Sequence, residues 1–447
     1  MPRHGYGFGP RFLHLACRFI FITTVALSLA PKAHGAGPLR VHSSNPRYFF
    51  DSNGTPVYLA GTYLGHEVLE LGTKDFIAYL DFLHEQKHNF TRLWAWEQTP
   101  LSAKKPSPTL PYERTGPGQA LDGGAKFDLR RFNQTYFDRL RDRVAQARER
   151  GIYVSVVLFQ GLNPSSKSRR DNAWLANPWH RENNINGVDG DPHRDGIGFE
   201  AFTLAIPVIT SLQEDYIRKV VDTLNDLDNV LYEISGDASL GAATWRSHIV
   251  NYLKSYEATK PNQHPVGISY PAATDNDVLW KSPADWIALY GADLNPPLAA
   301  GGRALFIETD PRLLGDRSSD QSVWKAFARG MNVIDREPDT LAPGVAEGVH
   351  AAIAQSLAHS RSIDLSALVP NDTGCSTGYC LINPGVEYLA YLPSGGRVVV
   401  DLSLAPQTFV VNWFNSLNAQ TIAANGVIGG RKVILASPFA GEALLHL

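Results

Sequence analysis

Hydrophobic residues along this chain repeat at two different spacings. Residues 152–159 and 230–234 are nearly continuous apolar runs, as expected of strands that are buried on both faces. Other segments carry apolar side chains every three or four positions, which predicts amphipathic helices at residues 73–86, 132–150, 212–228 and 244–259. Strands and helices alternate in this way from about residue 55 to residue 362, and this alternation predicts an α/β fold, a (β/α)8 TIM barrel.

The same alternation accounts for the rest of the barrel. Thr73 is a candidate cap for the first helix, and later helices are predicted at residues 276–281, 322–329 and 348–360. Residues 98–126 and 162–211 are predicted to be long loops, and loops of that length are usually functional. The predicted barrel strands are residues 56–61, 89–97, 152–159, 230–234, 265–270, 286–291, 304–310 and 332–336.

The two ends of the chain have different patterns. Ser52-Asn-Gly54 predicts the turn of a hairpin between residues 40–51 and 56–61. After residue 370, short strand-like runs are separated by turn pairs such as Asn425-Gly426, which predicts a small all-β sandwich. The predicted domains are therefore a signal peptide at 1–35, the barrel with its hairpin at 36–366, and the sandwich at 367–447.

Acidic residues end two of the predicted strands. Side chains alternate along a strand, so Glu233 and Asp237 share one face, and Glu308 and Asp310 share a face on a later strand. TIM barrels place their catalytic groups where the strands end, at the carboxyl-terminal rim. Asp237 and Glu308 are therefore the candidate catalytic pair; the alternative is that each acid pairs structurally with a barrel arginine.

Other residues of these strands have supporting roles. A buried carboxylate needs a partner, and Arg92 is the predicted partner of Glu233. Asp310 is an alternative nucleophile or a neighbour that shifts the pKa of Glu308. Tyr290 is a candidate hydrogen-bond donor to the nucleophile. His264, just before a strand, is predicted to be structural. The candidate substrate-binding residues are Trp96, Glu97, Gln160, Trp179 and Asn184.

Composition narrows the function further. The formal net charge of −3 gives no electrostatic footprint for nucleic acid or an anionic membrane. The 9 Trp and 17 Tyr suit a carbohydrate partner, although an ordinary aromatic core explains them as well. Asp189-Gly-Asp191 and Asp195 have a calcium-like spacing, for which turns stabilised by Asp side chains are the favoured interpretation. We expect no cofactor and no metal.

The amino terminus is typical of a secretory signal peptide. Arg11 and Arg18 precede an apolar run at residues 19–30, and small residues near Gly35 suit cleavage. We therefore expect a secreted or periplasmic protein that is not membrane-bound after cleavage. In that oxidising environment Cys375 and Cys380 are predicted to form a disulfide, with two free buried thiols as the alternative. The sequence gives no oligomeric state.

Several stretches resemble a family of exported bacterial glycoside-hydrolase-like proteins. They are residues 89–98, 111–137 with Arg114-Thr-Gly-Pro-Gly118, 183–191, 228–235, 259–267 and 282–287. The final seventy residues resemble a module named for collagen binding in a collagenase. The resemblance implies a clan of retaining TIM-barrel glycosidases, with an acid/base after strand four and a nucleophile ending strand seven. Glycoside cleavage needs a proton donor and a second carboxylate, so the resemblance implies Asp237 as the acid/base and Glu308 as the nucleophile. It also implies that Arg92 supports the nucleophile.

Three positions depart from the pattern of that clan. Its strand-four motif ends in Asn-Glu, whereas this chain has Gly236-Asp237. Relatives often have Asp-Thr-Asp-His at strand seven, where this chain has Glu308-Thr-Asp310-Pro311, and a His-Thr-Trp triplet is replaced by Tyr63-Leu-Gly65. The competing hypothesis is accordingly a glycan- or matrix-binding protein that kept the barrel and lost its catalytic acid.

Overall fold

Eight parallel strands form one barrel sheet, in the order β4-β13-β12-β11-β10-β9-β8-β5. The two end strands meet as well, because the Asn89 amide donates to Ala60 O at 3.2 Å and Thr91 Oγ1 donates to Thr62 O at 2.9 Å. The predicted (β/α)8 barrel is therefore confirmed. Its strands are β4 (Ala60–Tyr63), β5 (Phe90–Trp94), β8 (Tyr153–Phe159), β9 (Val230–Ser235), β10 (Val266–Ser269), β11 (Trp286–Tyr290), β12 (Ala304–Thr309) and β13 (Asn332–Arg336).

The computed structural model describes residues 37–64, 68–96, 109–160, 172–235, 242–269, 279–290, 302–309, 319–337 and 347–447. The predicted signal peptide and the first half of the predicted helix at 276–281 lie outside these ranges. Within the ranges, no helix has both the length and the apolar character needed to cross a bilayer. The helices are α1 (Thr73–Glu85), α2 (Gln134–Glu149), α3 (Pro207–Leu224), α4 (Ala242–Glu257), α5 (Ser319–Phe327) and α6 (Glu347–Ser360).

Close packing inside the barrel requires glycine at two strand positions. A Cβ atom on Gly61 would lie 1.8 Å from the Phe90 carbonyl oxygen, at the seam where β4 meets β5. A Cβ on Gly267 would lie 1.9 Å from the Trp286 ring. Both distances are far below contact separation, so these glycines allow the seam to close and the indole to fill the barrel interior.

The amino-terminal segment forms three short strands instead of the predicted two-stranded hairpin, and it ends earlier than predicted. Strands β1 (Arg40–Val41), β2 (Phe49–Phe50) and β3 (Pro56–Val57) form a small antiparallel sheet. The predicted turn at residues 52–54 joins β2 to β3, and Gly54 has the positive φ of +76° that such a turn needs. The predicted strand 56–61 is thus two strands, β3 and β4, and β4 continues to Tyr63.

The predicted loop at residues 98–126 is partly wrong. Strands β6 (Tyr112–Gln119) and β7 (Ala125–Phe132) form an antiparallel hairpin that begins inside it. Proline and glycine at residues 116–118 suggested a loop, but they produce a register shift between Arg114 and Gln119 while the hairpin continues on both sides.

The helix boundaries differ from the predictions by a few residues. Gly72 caps α1 without a side-chain hydrogen bond, so Thr73 is its first helical residue and the predicted Thr73 cap is wrong. Phe132 is the last residue of β7, so α2 begins at Gln134 and not at the predicted residue 132. Helix α3 begins earlier than predicted, at Pro207, because proline's fixed φ suits the first helical position.

His264 has the structural role that the sequence predicts. Its backbone N–H donates to Glu257 Oε2 at 2.7 Å, and its Nδ1 atom lies 2.7 Å from Glu257 Oε1. Its Nε2 atom lies 2.9 Å from the Leu227 carbonyl oxygen. Both side chains are buried, so this pair fixes the chain just before β10.

The carboxyl-terminal residues form two antiparallel sheets, as predicted. One has the order β14-β15-β16-β21-β18-β19 and the other pairs β17 with β20. The predicted turn pair Asn425-Gly426 instead lies within β19, whose pairing with β18 overrides the local turn preference. The strands are β14 (Val369–Pro370), β15 (Cys380–Asn383), β16 (Glu387–Leu392), β17 (Arg397–Asp401), β18 (Thr408–Asn415), β19 (Thr421–Ile428), β20 (Lys432–Ala436) and β21 (Ala443–His446).

Cys375 and Cys380 are joined by a disulfide whose Cα atoms are 6.3 Å apart. This is the pairing that the spacing favours. Both residues are buried, and they pack in the apolar core between the two carboxyl-terminal sheets.

The larger carboxyl-terminal sheet packs on the barrel helices. Its other face contributes Leu389, Tyr391 and Leu444 to the apolar cluster that lies between the barrel strands and their helices. The buried Trp324 of α5 lies with its ring centroid 6.3 Å from Tyr391 and 5.7 Å from Phe414. The barrel and the sheet therefore share one hydrophobic core.

We predict that Trp324→Ala destabilises the barrel and the sheet together. Removing a buried indole costs about 3–5 kcal/mol through lost packing and the cavity that remains. Denaturant unfolding should show one transition at a lower midpoint. Leu404→Ala, at a position 82% exposed, is the control and should leave the midpoint unchanged. Two separate transitions, with only one of them shifted, would contradict the shared core.

Candidate active site

One arginine joins two carboxylates inside the barrel. Arg92 Nε donates to Glu233 Oε2 at 3.0 Å, and Nη2 lies 3.0 Å from Glu233 Oε1. Nη1 of the same guanidinium lies 2.8 Å from Glu308 Oε2. The three residues are buried and come from β5, β9 and β12. The predicted Arg92–Glu233 pair is therefore present, and Arg92 also holds the predicted nucleophile.

Two hydroxyl groups complete the contacts of these carboxylates. Tyr63 Oη, at the end of β4, donates to Glu308 Oε1 at 2.5 Å. Ser155 Oγ, on β8, donates to Glu233 Oε2 at 2.6 Å. Each oxygen of Glu308 thus has its own donor, a phenol on one side and a guanidinium on the other. These two contacts fix the orientation of the carboxylate.

The local charges keep both donors of Glu308 protonated. Burial alone would lower the pKa of Arg92, but the charges of Glu233 and Glu308 raise it above its ordinary value. Burial, and then the charge of Glu308, raise the pKa of Tyr63 well above its ordinary value. Arg92 is therefore a permanent cation and Tyr63 a permanent hydrogen-bond donor.

The acidic cluster suits a reaction that develops positive charge. Two acidic side chains, Glu233 and Glu308, surround the single guanidinium of Arg92. Glycoside cleavage passes through an oxocarbenium-like transition state. A fixed negative charge beside the anomeric carbon stabilises that state, because the protein groups are oriented before the reaction begins.

Other predicted site residues lie outside the described part of the chain. Asp237, Asp310 and Glu97 belong to segments that the structure does not describe. Tyr290 is the last residue of β11 and pairs in register with Glu308, but its side chain is not described. The roles predicted for these four residues stay predictions.

The predicted sugar-binding aromatics have a different place in the structure. Trp96 and Trp179 are 2% and 0% exposed, with ring centroids 4.7 Å apart, and neither ring has a face open to a sugar. The Asn184 amide is also buried and donates to three backbone carbonyls of its own loop. These three residues stabilise the core and the loop, which corrects their assignment. Gln160 is partly buried, and its backbone N–H donates to Trp96 O at 3.3 Å.

The sequence analysis assigns no site role to Ser155, Tyr63 or Trp94. The predicted first barrel strand ends at Gly61, and continuing its alternation by two residues places Tyr63 inside the barrel. Trp94 shares the Arg92 face of β5 and is only partly buried. The Arg92 guanidinium carbon lies 5.9 Å from its ring centroid. Trp94 is thus the described tryptophan of this strand that remains partly open at the barrel mouth.

The acidic loop has the turn structure that the sequence favours. Carboxylate oxygens of Asp191, Asp195 and Glu200 lie within 4.8 Å of one another. Asp191 accepts backbone N–H bonds from Asp195 at 3.1 Å and from Gly196 at 2.8 Å. His193 Nδ1 contacts Glu200 Oε1. These contacts explain the acidic spacing as turn formation.

One family model matches the chain over residues 102–284 and is described as a domain of unknown function (DUF6298). The matched segment includes the β6–β7 hairpin and β8 to β10, and it ends before Glu308. No curated protein matches the chain.

Solved structures share the fold over nearly the whole chain. A protein titled "Glycoside hydrolase" has a TM-score of 0.61 at 12% identity, and the alignment covers 92% of this chain and 97% of that one. A glycoside hydrolase family 5 protein from Bacteroides vulgatus has a TM-score of 0.60 at 13% identity, covering 92% of this chain and 93% of that one. At these identities the likeness establishes the fold, a barrel with a carboxyl-terminal β domain.

We predict that Arg92→Met destabilises the fold strongly. The substitution leaves Glu233 and Glu308 buried without their cation, and breaking a buried pair in this way costs about 3–5 kcal/mol. Arg141→Met is the matched control, because Arg141 pairs with Asp226 at the surface, where such pairs contribute about 1 kcal/mol or less. Denaturant unfolding of both variants measures the difference. Equal small effects would show that the cluster does not depend on Arg92.

Proposed function

We propose that this protein is an exported glycoside hydrolase that cleaves O-glycosidic bonds of an oligo- or polysaccharide with two carboxyl groups. Glu308 is the nucleophile, and Asp237 is the acid/base. The observation that carries the proposal is the contact of Glu308 with Arg92 at 2.8 Å and with Tyr63 at 2.5 Å, at the carboxyl-terminal end of a barrel strand. TIM-barrel enzymes place their catalytic residues at this end.

The reaction proceeds in two displacements. A Glu308 oxygen attacks the anomeric carbon while the bond to the leaving oxygen breaks and Asp237 gives that oxygen its proton. Asp237 then takes a proton from water, whose oxygen attacks the same carbon and releases Glu308. Asp237 is one methylene shorter than the glutamate of the resembled clan. If this sets the two carboxyls far enough apart for a water to lie between Glu308 and the anomeric carbon, Glu308 takes a proton from that water, whose oxygen attacks while Asp237 protonates the leaving oxygen, and a single inverting displacement replaces the two steps.

Two further observations support a carbohydrate substrate. Both structural neighbours described above carry glycoside hydrolase in their names, and they share this chain's architecture over most of its length. Trp94 offers a partly open indole beside Arg92, where a sugar ring bound at Glu308 would pack. The basic and apolar amino terminus supports export to the periplasm or the medium.

A glycan- or matrix-binding protein is the second candidate. The feature that favours it is Gly236-Asp237 in place of the Asn-Glu motif. The carboxyl-terminal likeness to a module named for collagen binding belongs to the same hypothesis. In this case the Arg92 cluster would shape a binding pocket without turnover.

We predict that the two acids respond differently to the leaving group. Asp237→Ala should slow the hydrolysis of natural glycans far more than that of activated aryl glycosides, because activated groups leave without protonation. Asp237→Glu should speed the hydrolysis of natural glycans. Glu308→Ala should abolish hydrolysis of both, since no glycosyl-enzyme bond can form. The measurement is kcat/KM on a glycan panel and on matched aryl glycosides.

A glycan-binding array run on the same variants separates the two candidate functions. Binding without turnover in every variant, wild type included, would favour the binding protein. Small and equal effects of all three substitutions on turnover would remove both acids from the mechanism.

We predict that Tyr63→Phe lowers kcat by about 100-fold, the usual effect of removing one preorganised hydrogen-bond donor from a reacting group. The aromatic ring remains, so KM should change little. Tyr58→Phe is the matched control, because the Tyr58 ring is buried against Phe327, away from Glu308. A kcat that is the same in Tyr63→Phe and Tyr58→Phe would exclude Tyr63 from a role at the nucleophile.

A further inference from the structure

Four buried polar residues lie behind β4, on the side opposite the candidate active site. Thr62 is on β4, His88 precedes β5, Glu337 follows β13, and His350 is on α6. They are 0%, 3%, 3% and 6% exposed. No step of the proposed reaction uses any of them, so their burial requires another explanation.

The four side chains contact one another in a ring. Thr62 Oγ1 lies 3.2 Å from His88 Nδ1, and His88 Nε2 lies 3.3 Å from His350 Nδ1. His350 Nε2 lies 3.3 Å from Glu337 Oε1. Thr62 also acts on the Glu337 carboxyl, because its side chain favours the ionised form and lowers the pKa of that group. We call these four residues the polar ring.

Glu337 is the member of the ring that lacks a partner when it is ionised. Its buried Oε1 atom makes no hydrogen bond and faces His350 Nε2 at 3.3 Å. An ionised carboxyl here would be buried with no lysine or arginine paired to it among the described residues, which is costly. One added proton lets Glu337 donate to His350 Nε2, and His350 and His88 can then each donate one hydrogen onward, which leaves the ring neutral.

The surroundings favour that added proton. Burial raises the pKa of Glu337, against the opposing effect of the Thr62 hydrogen bond. Burial lowers the pKa of His88 to about 3 and also lowers that of His350, so both rings prefer to be neutral. No neighbouring cation is needed for a neutral ring.

In the described part of the chain, the neighbouring groups contact atoms other than the Glu337 carboxyl. The Tyr79 hydroxyl of α1 bonds Thr91 Oγ1 at 2.9 Å and the Thr62 carbonyl at 3.3 Å, and Phe82 packs edge-on against His350. On β13, Asp335 bonds Thr309, while Arg336 pairs in register with the inward-facing Tyr63.

We propose that Thr62, His88, His350 and Glu337 hold one shared proton, and that this proton-holding ring positions Tyr63 beside Glu308. Thr62 is the neighbour of Tyr63 in the chain, and the Glu337 backbone N–H donates to Tyr63 O at 2.9 Å. The ring therefore holds the Tyr63 backbone from both sides. Loss of the proton puts an unpaired carboxylate behind β4 and loosens the residue that orients the nucleophile.

Unfolding equilibria measured against pH test the shared proton. A carboxyl whose pKa is raised in the folded state gives stability that is fully present below its unfolded pKa, near 4.5, and is lost as pH rises through the folded pKa. Glu337→Gln keeps the shape of the protonated form and cannot lose a proton. The unfolding constant of wild type relative to Glu337→Gln should therefore rise with pH above about 4.5, by up to about tenfold per unit, and then level off.

The histidines do not produce this signal. Their lowered pKa values give stability that is present above about 6.5 and lost as pH falls, which is the opposite sign. Both proteins contain both histidines, so this contribution cancels in the ratio of unfolding constants. The window above 4.5 therefore reports on Glu337.

The matched control is Glu442→Gln, at a buried carboxylate in the carboxyl-terminal sheet. Glu442 accepts hydrogen bonds from Tyr391 at 2.7 Å, Ser416 at 3.0 Å and Gln321 at 2.8 Å, so it lacks no hydrogen. The unfolding constant of wild type relative to Glu442→Gln should not rise with pH. If the unfolding constant of wild type relative to Glu337→Gln is also independent of pH, the proposal is overturned.

A second variant decides the question if Glu337→Gln does not fold. Thr62→Val keeps the side-chain shape and removes the donor that favours the ionised Glu337. The loss of stability with rising pH should therefore level off at a higher pH in Thr62→Val than in wild type. A stability curve parallel to that of wild type would contradict the ring.

The link to Tyr63 rests on the proposed glycosidase function and has its own measurement. If the protein hydrolyses a glycan, the high-pH limb of kcat should move upward in Glu337→Gln, while KM stays unchanged. An unmoved limb with the predicted stability shift would confirm the proton and exclude its role in positioning. If no glycan is hydrolysed, the unfolding measurements still test the ring, so the two failures are distinguishable.

Discussion

The interior of this barrel is organised by the need to neutralise one buried guanidinium. Arg92 lies in a region from which water is excluded, and a charge there is tolerated only with opposite charges and hydrogen bonds around it. Glu233 and Glu308 supply the charges, while Ser155 donates a further hydrogen bond to Glu233 and Tyr63 bonds the Glu308 oxygen that Arg92 does not contact. These five residues come from five strands, so the electrostatic requirement also fixes the relative height of those strands.

The same constraint gives the site its chemical character. A carboxylate whose two oxygens have different donors, one cationic and one neutral, is already oriented before substrate arrives. Orientation set by the fold does not have to be achieved during the reaction, which is the basis of electrostatic preorganisation. The arrangement is thus suited to a nucleophile and equally holds the barrel together, since both roles use the same contacts.

Strand β4 connects this site to the rest of the molecule. Its inner face carries Tyr63, and its outer face carries Thr62 and the polar ring beneath α6. Helices α5 and α6 in turn bury Trp324 and Leu357 in the core that the carboxyl-terminal sheet completes. Residues that never meet the substrate therefore influence the geometry at Glu308 through short, closely packed elements.

Local pattern alone was sufficient for the strand and helix order. Hydrophobic spacing predicts every strand of the barrel, because strands that are buried on both faces are largely apolar. The predicted bounds of β13 match the structure to the residue. Alternation also placed Arg92, Glu233 and Glu308 on inward faces. The Arg92–Glu233 pair was predictable because two buried opposite charges in one barrel have few other partners.

Tertiary structure decided what spacing cannot encode. Whether Trp94 or Trp96 remains open depends on packing from β6, α3 and the loop around Trp179, which surrounds the Trp96 ring. The β6–β7 hairpin forms although its turn residues suggest a loop, since cross-strand bonds outweigh local preference. Tyr63 meets Glu308 only because barrel closure brings residues 245 positions apart in the chain into hydrogen-bond contact. The sequence thus determined the fold and the charged residues inside it, while contacts between distant strands determined which aromatic side chains reach the site.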